Sequence, residues 1–462
     1  MRIIVGNKIE VENPTPEIIS WCRENLVLSN PEYYKRQRMG KWLGNTPQSF
    51  ALYEKNGGKL YLPFGCVGDV ARMYGSQCRL QSAIKPFKPF NYDSAINPYP
   101  YQENAVKMAL KAKNGVIVMP CGAGKTQTAL EIIARIGAKC LWLTHTQDLL
   151  NQSLDRAKSV LGAVKSSYGK ITAGKVDIGE GITFATVQTM AKLDLSQYRD
   201  EWGVIIIDEV QHSAGSPTRV TQFYRVLSNL SARYKFGVTA TPHRADGLER
   251  SIFALVGDII CEVSKEEVKS TTCPVEVQFV DSGYEPDFDA VLAGDGTINY
   301  SALVTDMTEN EGRFERVLEI IESAQERGGM IVLANRVEYL QRLNKRFSGK
   351  SICLSGNAGT KKAREVRKDA LKMLDCGELD CIFATYQLAK EGLDVPNLRT
   401  IIFATPEKDS TTVTQAAGRV ARKCEGKDAG LVIDIVDRFG MYKGWQKKRI
   451  SYYKKLDFLL TL

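Results

Sequence analysis

The sequence contains few of the features that mark secreted, zinc-binding or membrane-spanning proteins. Its eleven cysteines are scattered without a C-x-x-C pair, and it has only three histidines, so neither a disulfide framework nor a structural zinc site is expected. No apolar run approaches the roughly 18 residues that a membrane-spanning helix needs. Charges interrupt residues 1–13, which predict a strand rather than a signal peptide. We therefore expect reduced thiols in a cytoplasmic protein that contacts no membrane.

The composition is that of an ordinary globular protein with several domains. Apolar residues make up 44% and charged residues 25% of the 462 positions, which excludes a largely disordered or fibrous chain. At about 150 residues per domain, the length predicts roughly three domains. The formal net charge of +9 is compatible with a polyanionic partner without requiring one.

Changes of pattern along the chain predict three parts. Residues 1–95 carry turn signals, short apolar segments and a basic patch over 35–41, which predict a small α+β accessory module with a candidate DNA contact. Residues 96–262 and 263–462 alternate β-branched runs with amphipathic stretches, so we expect an α/β domain with a parallel sheet in each. The stretch 263–310 favours a linker with an exposed loop, within which residues 275–280 are a weaker candidate strand. The predicted strands are 115–119, 140–144, 182–186, 204–207 and 236–239, then 330–334, 352–354, 381–385, 400–404 and 431–436.

The strongest local pattern is a glycine-lysine loop between a predicted strand and a predicted helix. Glycines in such a loop let backbone N–H groups turn toward phosphate oxygens, and the helix N-terminus adds positive potential. Lys125 is expected to reach the β- and γ-phosphates, and Thr126 to bind Mg²⁺. A methionine stands where the usual pattern has its first glycine. The loop reads Met119, Pro120, Cys121, Gly122, Ala123, Gly124, Lys125 and Thr126.

An acidic pair ends a later apolar run, and an arginine pair follows near the end of the chain. Asp208 is expected to hold Mg²⁺ and Glu209 to orient and deprotonate the attacking water. Arg419 and Arg422 share one helix face, as cations that stabilise a γ-phosphate would. Taken alone, the acidic pair could be a plain strand end and the arginine pair a solvated helix face. The presence of the other motifs favours a catalytic role for both pairs.

Together these motifs resemble superfamily 2 helicases and translocases, in the family's order over about 340 residues. The resemblance is closest to the excision-repair branch and its phage-encoded relatives, on residues 241–248. Gln211 stands where a His or Asp is usual, and can still couple hydrolysis to the second domain through hydrogen bonds. The matching segments are 101–102, 119–126 (motif I), 144–152 (Ia), 186–188 (Ib), 208–211 (II), 239–242 (III), 335–336 (IV), 384–385 with 391–396 (V) and 415–422 (VI).

The resemblance implies two RecA-like domains, with ATP and Mg²⁺ as cofactors. The implied catalytic residues are Glu209, Gln211, Arg419 and Arg422, and Thr126 and Asp208 are the implied metal ligands. Gln102 is the implied adenine contact. Gly392 and Asp394, together with residues 119–126, are the other implied nucleotide-binding residues. The implied nucleic-acid contacts are Thr144, His145, Thr186, Asn335, Arg336 and Thr385.

The implied activity is an ATPase that moves on or remodels DNA, single-stranded or branched, in repair, recombination or replication. The chain would act as a monomer or in a larger complex, in the host cytoplasm if phage-encoded. The same motor acting on RNA, an ATP-locked clamp on nucleic acid, and a motor subunit of a restriction or defence complex stay open. Residues 438–455 mix basic and aromatic residues, which favours a closing amphipathic helix over a nucleic-acid contact.

Overall fold

The computed structural model describes residues 2–75, 78, 80–120, 122–162, 167–214, 217–241, 248–294, 297–354, 361–390 and 395–461. The chain divides into two units, Met1–Val268 and Lys269–Leu462. The first unit contains both the predicted accessory module and the first predicted α/β domain. Among the described residues, no helix is both long and apolar enough to cross a membrane.

The first unit begins with a small sheet whose apolar side chains alternate with polar ones. Ile9, Val11, Leu60 and Leu62 are fully buried on one face, as the two-residue period of strands requires. The strands are β1 (Arg2–Val5), β2 (Lys8–Glu12), β3 (Val27–Ser29), β4 (Ser49–Ala51), β5 (Glu54–Asn56), β6 (Lys59–Pro63) and β7 (Leu80–Ser82), and the helices are α1 (Pro16–Asn25), α2 (Pro31–Arg38) and α3 (Val67–Tyr74). The sheet order is β5-β6-β2-β1-β7, and β3 pairs with β4 apart from it. This part is α+β, as predicted.

An eight-stranded sheet follows, parallel except for one edge hairpin. Its strands are β8 (Asn114–Val118), β9 (Cys140–Thr144), β10 (Tyr168–Thr172), β11 (Lys175–Asp177), β12 (Ile182–Thr186), β13 (Val204–Asp208), β14 (Tyr234–Thr239) and β15 (Ile259–Glu262). The order is β11-β10-β12-β9-β13-β14-β8-β15. The helices are α4 (Pro100–Ala112), α5 (Lys125–Ile136), α6 (Gln147–Val160), α7 (Val187–Met190), α8 (Pro217–Asn229), α9 (Glu249–Val256) and α10 (Lys265–Val268). Each of the five strand runs predicted in this domain falls on one of these strands, except that Met119 lies one residue beyond the end of β8.

The second unit is built on a seven-stranded sheet in which every pair is parallel. Its strands are β16 (Val275–Asp281), β17 (Met330–Ala334), β18 (Ser351–Leu354), β19 (Cys381–Thr385), β20 (Thr400–Phe403), β21 (Gly430–Val436) and β22 (Leu459–Thr461), in the order β18-β19-β17-β20-β21-β16-β22. The helices are α11 (Phe288–Val291), α12 (Tyr300–Glu309), α13 (Glu311–Ala324), α14 (Val337–Arg346), α15 (Lys361–Asp375), α16 (Tyr386–Lys390), α17 (Ser410–Arg419) and α18 (Gly440–Lys455). The predicted α/β class is therefore confirmed in both units.

Two predictions about the second unit can be judged from this sheet. The linker prediction for 263–310 is wrong where it covers β16, which lies inside the sheet between β21 and β22, whereas the candidate strand over 275–280 is confirmed. The closing-helix prediction for 438–455 is supported by α18. Tyr442 and Tyr453 on this helix are buried, and Arg449 donates to both carboxylate oxygens of Asp434 at 2.7 and 2.6 Å. These aromatic rings are core residues and are not available to stack on bases.

One hydrophobic core joins the small N-terminal sheet to the large sheet. Leu62 and Val70 belong to the same buried cluster as Val116, Leu141 and Ile205 of the large sheet. The N-terminal part and the first α/β domain are in close contact at the 3-10 helix Phe64–Cys66, which packs on α9. A Cβ at Gly65 would lie 2.3 Å from the carbonyl oxygen of Phe253, so only glycine fits there. The N-terminal part is thus anchored to the first α/β sheet by packing.

A buried lysine lies at this junction. The Lys235 ammonium donates to the carbonyl oxygens of Leu227 and Leu230, each at 3.1 Å, at the end of α8. It also lies 4.4 Å from the centroid of the Phe64 ring, a cation–π contact between the two parts. Lys235 is fully buried, and burial lowers its pKa to about 7.

Replacing Lys235 with methionine is expected to remove a pH dependence of stability. The pKa is about 7 in the folded chain, and an unfolded lysine titrates near pH 10.4, roughly. Between these values the unfolded chain binds the extra proton, so stability rises with pH, by at most about 1.4 kcal/mol per pH unit. Urea unfolding at several pH values above 7 should show the wild type gaining on Lys235→Met as the pH rises. Lys111→Met, at an exposed position, should run parallel to the wild type. A parallel curve for Lys235→Met would contradict the prediction.

Candidate active site

Three neighbouring strands bring the predicted nucleotide motifs to one edge of the first sheet. β14 lies between β13 and β8, with Asp208 opposite Val238 and Thr239 opposite Val118. The carboxyl ends of parallel strands meet at the same edge, which is where ligands bind in open α/β sheets. The glycine-lysine loop, the acidic pair and the 239–242 segment therefore begin side by side. Residues 242–247, which carry most of the excision-repair resemblance, lie outside the described residues.

The loop after β8 has the backbone conformation that a phosphate site requires. The Met119 N–H donates to the carbonyl of Thr239 at 2.9 Å, which fixes the start of the loop on the neighbouring strand. Gly122 and Gly124 have φ of +85° and +75°, values that glycine adopts without strain. Lys125 then begins α5, so the N-terminal end of that helix, with its backbone N–H groups and positive potential, lies at the loop. Pro120 and Ala123 share a backbone hydrogen bond of 3.2 Å, and Cys121 lies outside the described residues.

The side chain of Gln102, on α4, contacts this loop. Its Nε2 donates to the carbonyl of Ala123 at 3.0 Å, and its Oε1 accepts from the Tyr99 N–H at 3.0 Å. A Cβ at Gly124 would lie 2.5 Å from Nε2, so the glycine is needed for this contact as well. Gln102 therefore braces the loop, a role that the sequence did not suggest. Its predicted adenine contact stays a prediction.

Asp208 and Glu209 differ sharply in environment although they are adjacent. Asp208 is buried and accepts a hydrogen bond from the Ser153 hydroxyl at 3.2 Å. Burial and the neighbouring Glu209 raise the pKa of Asp208 to about 7, against the opposing effects of Lys125 and the Ser153 hydroxyl. Sequence reasoning missed Ser153. The available signal was a serine at a helix position shared with buried Leu150 and Ala157.

Glu209 connects the loop to the end of β14. Its Oε1 lies 3.7 Å from the Lys125 Nζ, and its Oε2 accepts from the Gln211 Nε2 at 2.7 Å. The Gln211 Oε1 in turn accepts from the Thr239 hydroxyl at 2.6 Å, and the Thr241 N–H donates to that hydroxyl at 3.0 Å. An ion pair followed by hydrogen bonds therefore connects the loop lysine to the segment after β14.

The backbone of Glu209 is in an uncommon conformation. Its φ is +51°, in the left-handed region that costs a side-chain-bearing residue roughly 1–2 kcal/mol. This conformation follows directly after β13 and turns the chain into the 3-10 helix Val210–Ala214. The surrounding contacts hold Glu209 in place at the strand end, as is common at functional sites.

The residues at this edge fit a nucleotide with Mg²⁺. Phosphate oxygens would be held by the N–H groups at the start of α5 and by Lys125. Thr126, in the first turn of α5, and Asp208 offer the oxygen ligands that Mg²⁺ prefers. No cluster of three or more His, Cys, Asp or Glu side chains that could hold a metal occurs in the described part of the chain. The two oxygen donors, Thr126 and Asp208, suit a cation that takes further ligands from phosphate.

Two predicted nucleic-acid threonines have local structural roles in the first unit. Thr144, at the end of β9, is fully buried, and its hydroxyl donates to the Thr146 carbonyl at 2.9 Å. Thr186, at the end of β12, caps α7, with its hydroxyl 2.9 Å from that of Thr189. Because β9 and β12 are adjacent, with Thr144 opposite Thr186, both lie at one sheet edge. Their contact with nucleic acid stays a prediction.

His145, the third predicted contact in this unit, stacks on a histidine of the acidic motif. The rings of His145 and His212 lie 3.7 Å apart between centroids, with an interplanar angle of 26°. The His145 carbonyl accepts from the Gln188 Nε2 at 3.1 Å. The segments that resemble motifs Ia, Ib and II are therefore in direct contact.

The predicted residues of the second unit lie at the carboxyl ends of its strands. Asn335 follows β17, where its N–H donates to the Thr405 hydroxyl at 3.0 Å and its Nδ2 to the Pro406 carbonyl at 3.2 Å. Arg336 is the N-terminal cap residue of α14, and Thr385 ends β19. Within the described residues, the buried Thr385 hydroxyl oxygen has no hydrogen-bond partner. Their contacts with nucleic acid stay predictions.

The predicted arginine pair lies at the end of α17. Arg419 is half-buried, and its Nη2 donates to the Ala389 carbonyl at 3.5 Å. Arg422 lies beyond the end of α17 and is also half-buried, so the prediction that the two arginines share one helix face is wrong. Gly392 and Asp394 lie outside the described residues. The catalytic and nucleotide-binding roles of these four residues stay predictions.

Two family models match the chain, one in each unit. Residues 95–244 match the model described as "Type III restriction enzyme, res subunit". Residues 312–424 match the model described as "Helicase conserved C-terminal domain".

Known proteins with similar sequences include viral and archaeal helicases and translocases. A protein of Acanthamoeba polyphaga mimivirus, provisionally named ATP-dependent RNA helicase L396, is 27% identical over 430 residues, 88% of this chain and 77% of that protein. The DNA 3'-5' translocase XPB2 of Sulfurisphaera tokodaii is 36% identical over 169 residues, 36% of this chain and 36% of that protein. The match to the translocase thus spans about a third of either chain.

A solved structure supports the fold. The structure of S. cerevisiae Dbp5 bound to RNA and ADP BeF3 matches with a TM-score of 0.57 and 16% identity, over 79% of this chain and 90% of that chain. At this identity the likeness concerns the fold alone. It agrees with the prediction of RecA-like α/β domains.

Proposed function

We propose that this chain, which belongs to the superfamily 2 of ATP-dependent helicases, is a motor that moves on or remodels DNA in repair, recombination or replication. The matched family models, the helicase relatives and the shared fold support its membership. The 36% identity to a DNA 3'-5' translocase favours DNA as the track.

The observation that carries the proposal is the path from Lys125 through Glu209 and Gln211 to Thr239. It places an ammonium, a carboxylate and an amide at the sheet edge where a nucleotide would bind. The Gln211 amide bonds both the carboxylate and the Thr239 hydroxyl at the end of β14, and that hydroxyl bonds the Thr241 N–H. Hydrolysis at the carboxylate could thereby change the conformation of the segment after β14. Such coupling is what distinguishes a motor from a static nucleotide-binding protein.

The proposed roles of the residues follow from these contacts. ATP with Mg²⁺ would supply the phosphoryl group and neutralise the charge that develops on it. Lys125 would bind phosphate oxygens, with Thr126 and Asp208 holding the cation. Glu209 would orient the attacking water and accept its proton, and Gln211 would keep that carboxylate in position.

A comparison of polynucleotides tests the choice of DNA. We expect ATP hydrolysis by the purified chain to be stimulated more by DNA than by RNA of the same sequence and structure. The assay should cover single-stranded, duplex, forked and four-way forms, each as DNA and as RNA. The relative named as an RNA helicase makes RNA the second candidate, and a larger RNA response would favour it. Hydrolysis that no polynucleotide changes would contradict a nucleic-acid motor of either kind.

The setting of the motor is also proposed. The ten cysteines in the described part of the chain are all free thiols, which suits the reducing cytoplasm. Whether the chain acts as a monomer or as part of a larger complex follows from the same preparation, by light scattering. A complex with a nuclease would favour the restriction or defence alternative, to which the description of the first family model points.

A further inference from the structure

A small protrusion projects from the N-terminal part between β3 and β4. It consists of residues 30–48, which we call the Trp42 protrusion. It contains α2 and the turn that follows. In α2, none of the eight residues is buried. The protrusion therefore contributes little to the core, and the surface it exposes calls for another explanation.

The base of the protrusion is firmly tied. Asn30 is 2% exposed, and its Nδ2 donates to the Pro47 carbonyl at 2.8 Å. Its N–H donates to the Gln48 carbonyl at 2.9 Å, and its Oδ1 accepts from the Glu32 N–H at 3.0 Å. The Gln48 Nε2 also donates to the Tyr34 hydroxyl at 3.1 Å. One buried amide thus closes the segment at both ends.

The end of α2 is equally well defined. Gly40 has a φ of +61°, its N–H donates to the Gln37 carbonyl at 3.1 Å, and the Lys41 N–H donates to the Arg36 carbonyl at 3.0 Å. This pair of bonds is the Schellman motif, which turns the chain sharply after a helix. The direction in which the chain enters Trp42 is therefore set by backbone hydrogen bonds.

Trp42 is the most exposed large apolar side chain in the described residues, at 85%. Gly44, with a φ of +51°, lies against the indole, and a Cβ there would be 2.9 Å from the ring. The ring thus rests on the backbone of the following turn and leaves its other surface to solvent. A supported, open indole is costly to expose unless it has a partner.

The charges around the Trp42 ring indicate what kind of partner this surface would bind. Four basic residues accompany one acidic residue within 31–42, and Arg36 pairs with that acid, Glu32, at 2.9 Å. Lys35, Arg38 and Lys41 are exposed. Cations beside an open aromatic ring match the phosphates and bases of a single-stranded nucleic acid.

We propose that the Trp42 protrusion binds an unpaired stretch of nucleic acid. Trp42 stacks on one exposed base, and Lys35, Arg38 and Lys41 contact the flanking phosphates. A continuous duplex offers no free base face, so the site favours single strands and the open bases of forks and junctions. This proposal does not depend on the ATP site and can fail or succeed without it.

Tryptophan fluorescence tests the stacking directly, on the full chain without ATP. A single-stranded oligonucleotide should quench the wild type, and the part of the quenching that Trp42→Phe loses is the signal of Trp42. Trp42→Ala should weaken binding about 5- to 150-fold, as the loss of one stacked base does. Trp42→Phe should retain most of the affinity, and so should Met39→Ala, which removes an exposed neighbour without a ring.

Two further arms separate this proposal from its rivals. Charge reversal at Lys35, Arg38 and Lys41 should weaken binding more at low salt than at high salt. A relaxed, covalently closed circular duplex, which has neither ends nor loops, should not quench Trp42. Equal binding by Trp42→Ala and wild type, equal quenching by the closed duplex, or tighter binding of an acidic peptide than of the oligonucleotide would each overturn the proposal.

Discussion

Replacing Glu209 with glutamine is expected to lower the rate of nucleic-acid-stimulated ATP hydrolysis by about 10²- to 10⁴-fold. A carboxamide cannot take the proton of the attacking water. Its oxygen can still accept from the Gln211 Nε2, which now lies 2.7 Å from the carboxylate. The substitution therefore removes the proposed base with little change of shape. Steady-state ATPase assays measure the rate, and a fluorescent ATP analogue measures nucleotide affinity, which should remain.

The control for this prediction is a carboxylate elsewhere in the same unit. Glu180 is exposed in the loop before β12, so Glu180→Gln should hydrolyse ATP at the wild-type rate. Lys125→Ala gives the complementary result, with lost nucleotide affinity as well as lost turnover. A Glu209→Gln protein that keeps turnover within a few-fold of wild type would show that Glu209 does not act on the water.

The sequence could reveal those residues of the candidate site that directly follow a recognisable strand or motif. Lys125 and Glu209 follow buried strands, and parallel strands bring their carboxyl ends together, so their approach to 3.7 Å was predictable. The brace from Gln102 to the loop was not, since it depends on how α4 packs on α5. The hydroxyl of Ser153 reaches Asp208 across 55 positions, and only the tertiary structure specifies that contact.

The fold also has parts that the local sequence predicts and parts that depend on contacts between distant segments of the chain. The buried strands could be predicted because each is a continuous run of apolar, largely β-branched residues. β16 alternates Val275 and Val277 with half-exposed Glu276 and Gln278, so it gave only a weak strand signal within a stretch that resembled a linker. Its place inside the sheet comes from pairing with β21 and β22, both far along the chain. The shared core of the N-terminal sheet and the large sheet is distant information of the same kind.

Replacing Asp437 with alanine is expected to destabilise the second unit by about 3–5 kcal/mol, because it leaves a buried arginine without its counterion. Asp437 Oδ1 accepts from Arg313 Nε at 2.7 Å and Oδ2 from Arg313 Nη2 at 3.0 Å, and both side chains are inaccessible to solvent. The Ser282 hydroxyl donates to the same carboxylate at 2.6 Å. Arg313 also donates to the Tyr339 hydroxyl and to the Ala404 carbonyl, so one guanidinium ties α13 to α14 and to the end of β20.

An exposed ion pair on the same helix provides the matched comparison. Arg316 and Glu319 on α13 are 3.1 Å apart and half-exposed, so Glu319→Ala should cost less than about 1 kcal/mol. Urea unfolding followed by circular dichroism should show an early transition in Asp437→Ala alone. The double substitution of Arg313→Met with Asp437→Leu should recover part of the loss, since no unpaired charge remains buried. Equal midpoints for Asp437→Ala and Glu319→Ala would mean that the buried pair does not stabilise the fold, and that the Tyr339 and Ala404 contacts alone hold Arg313.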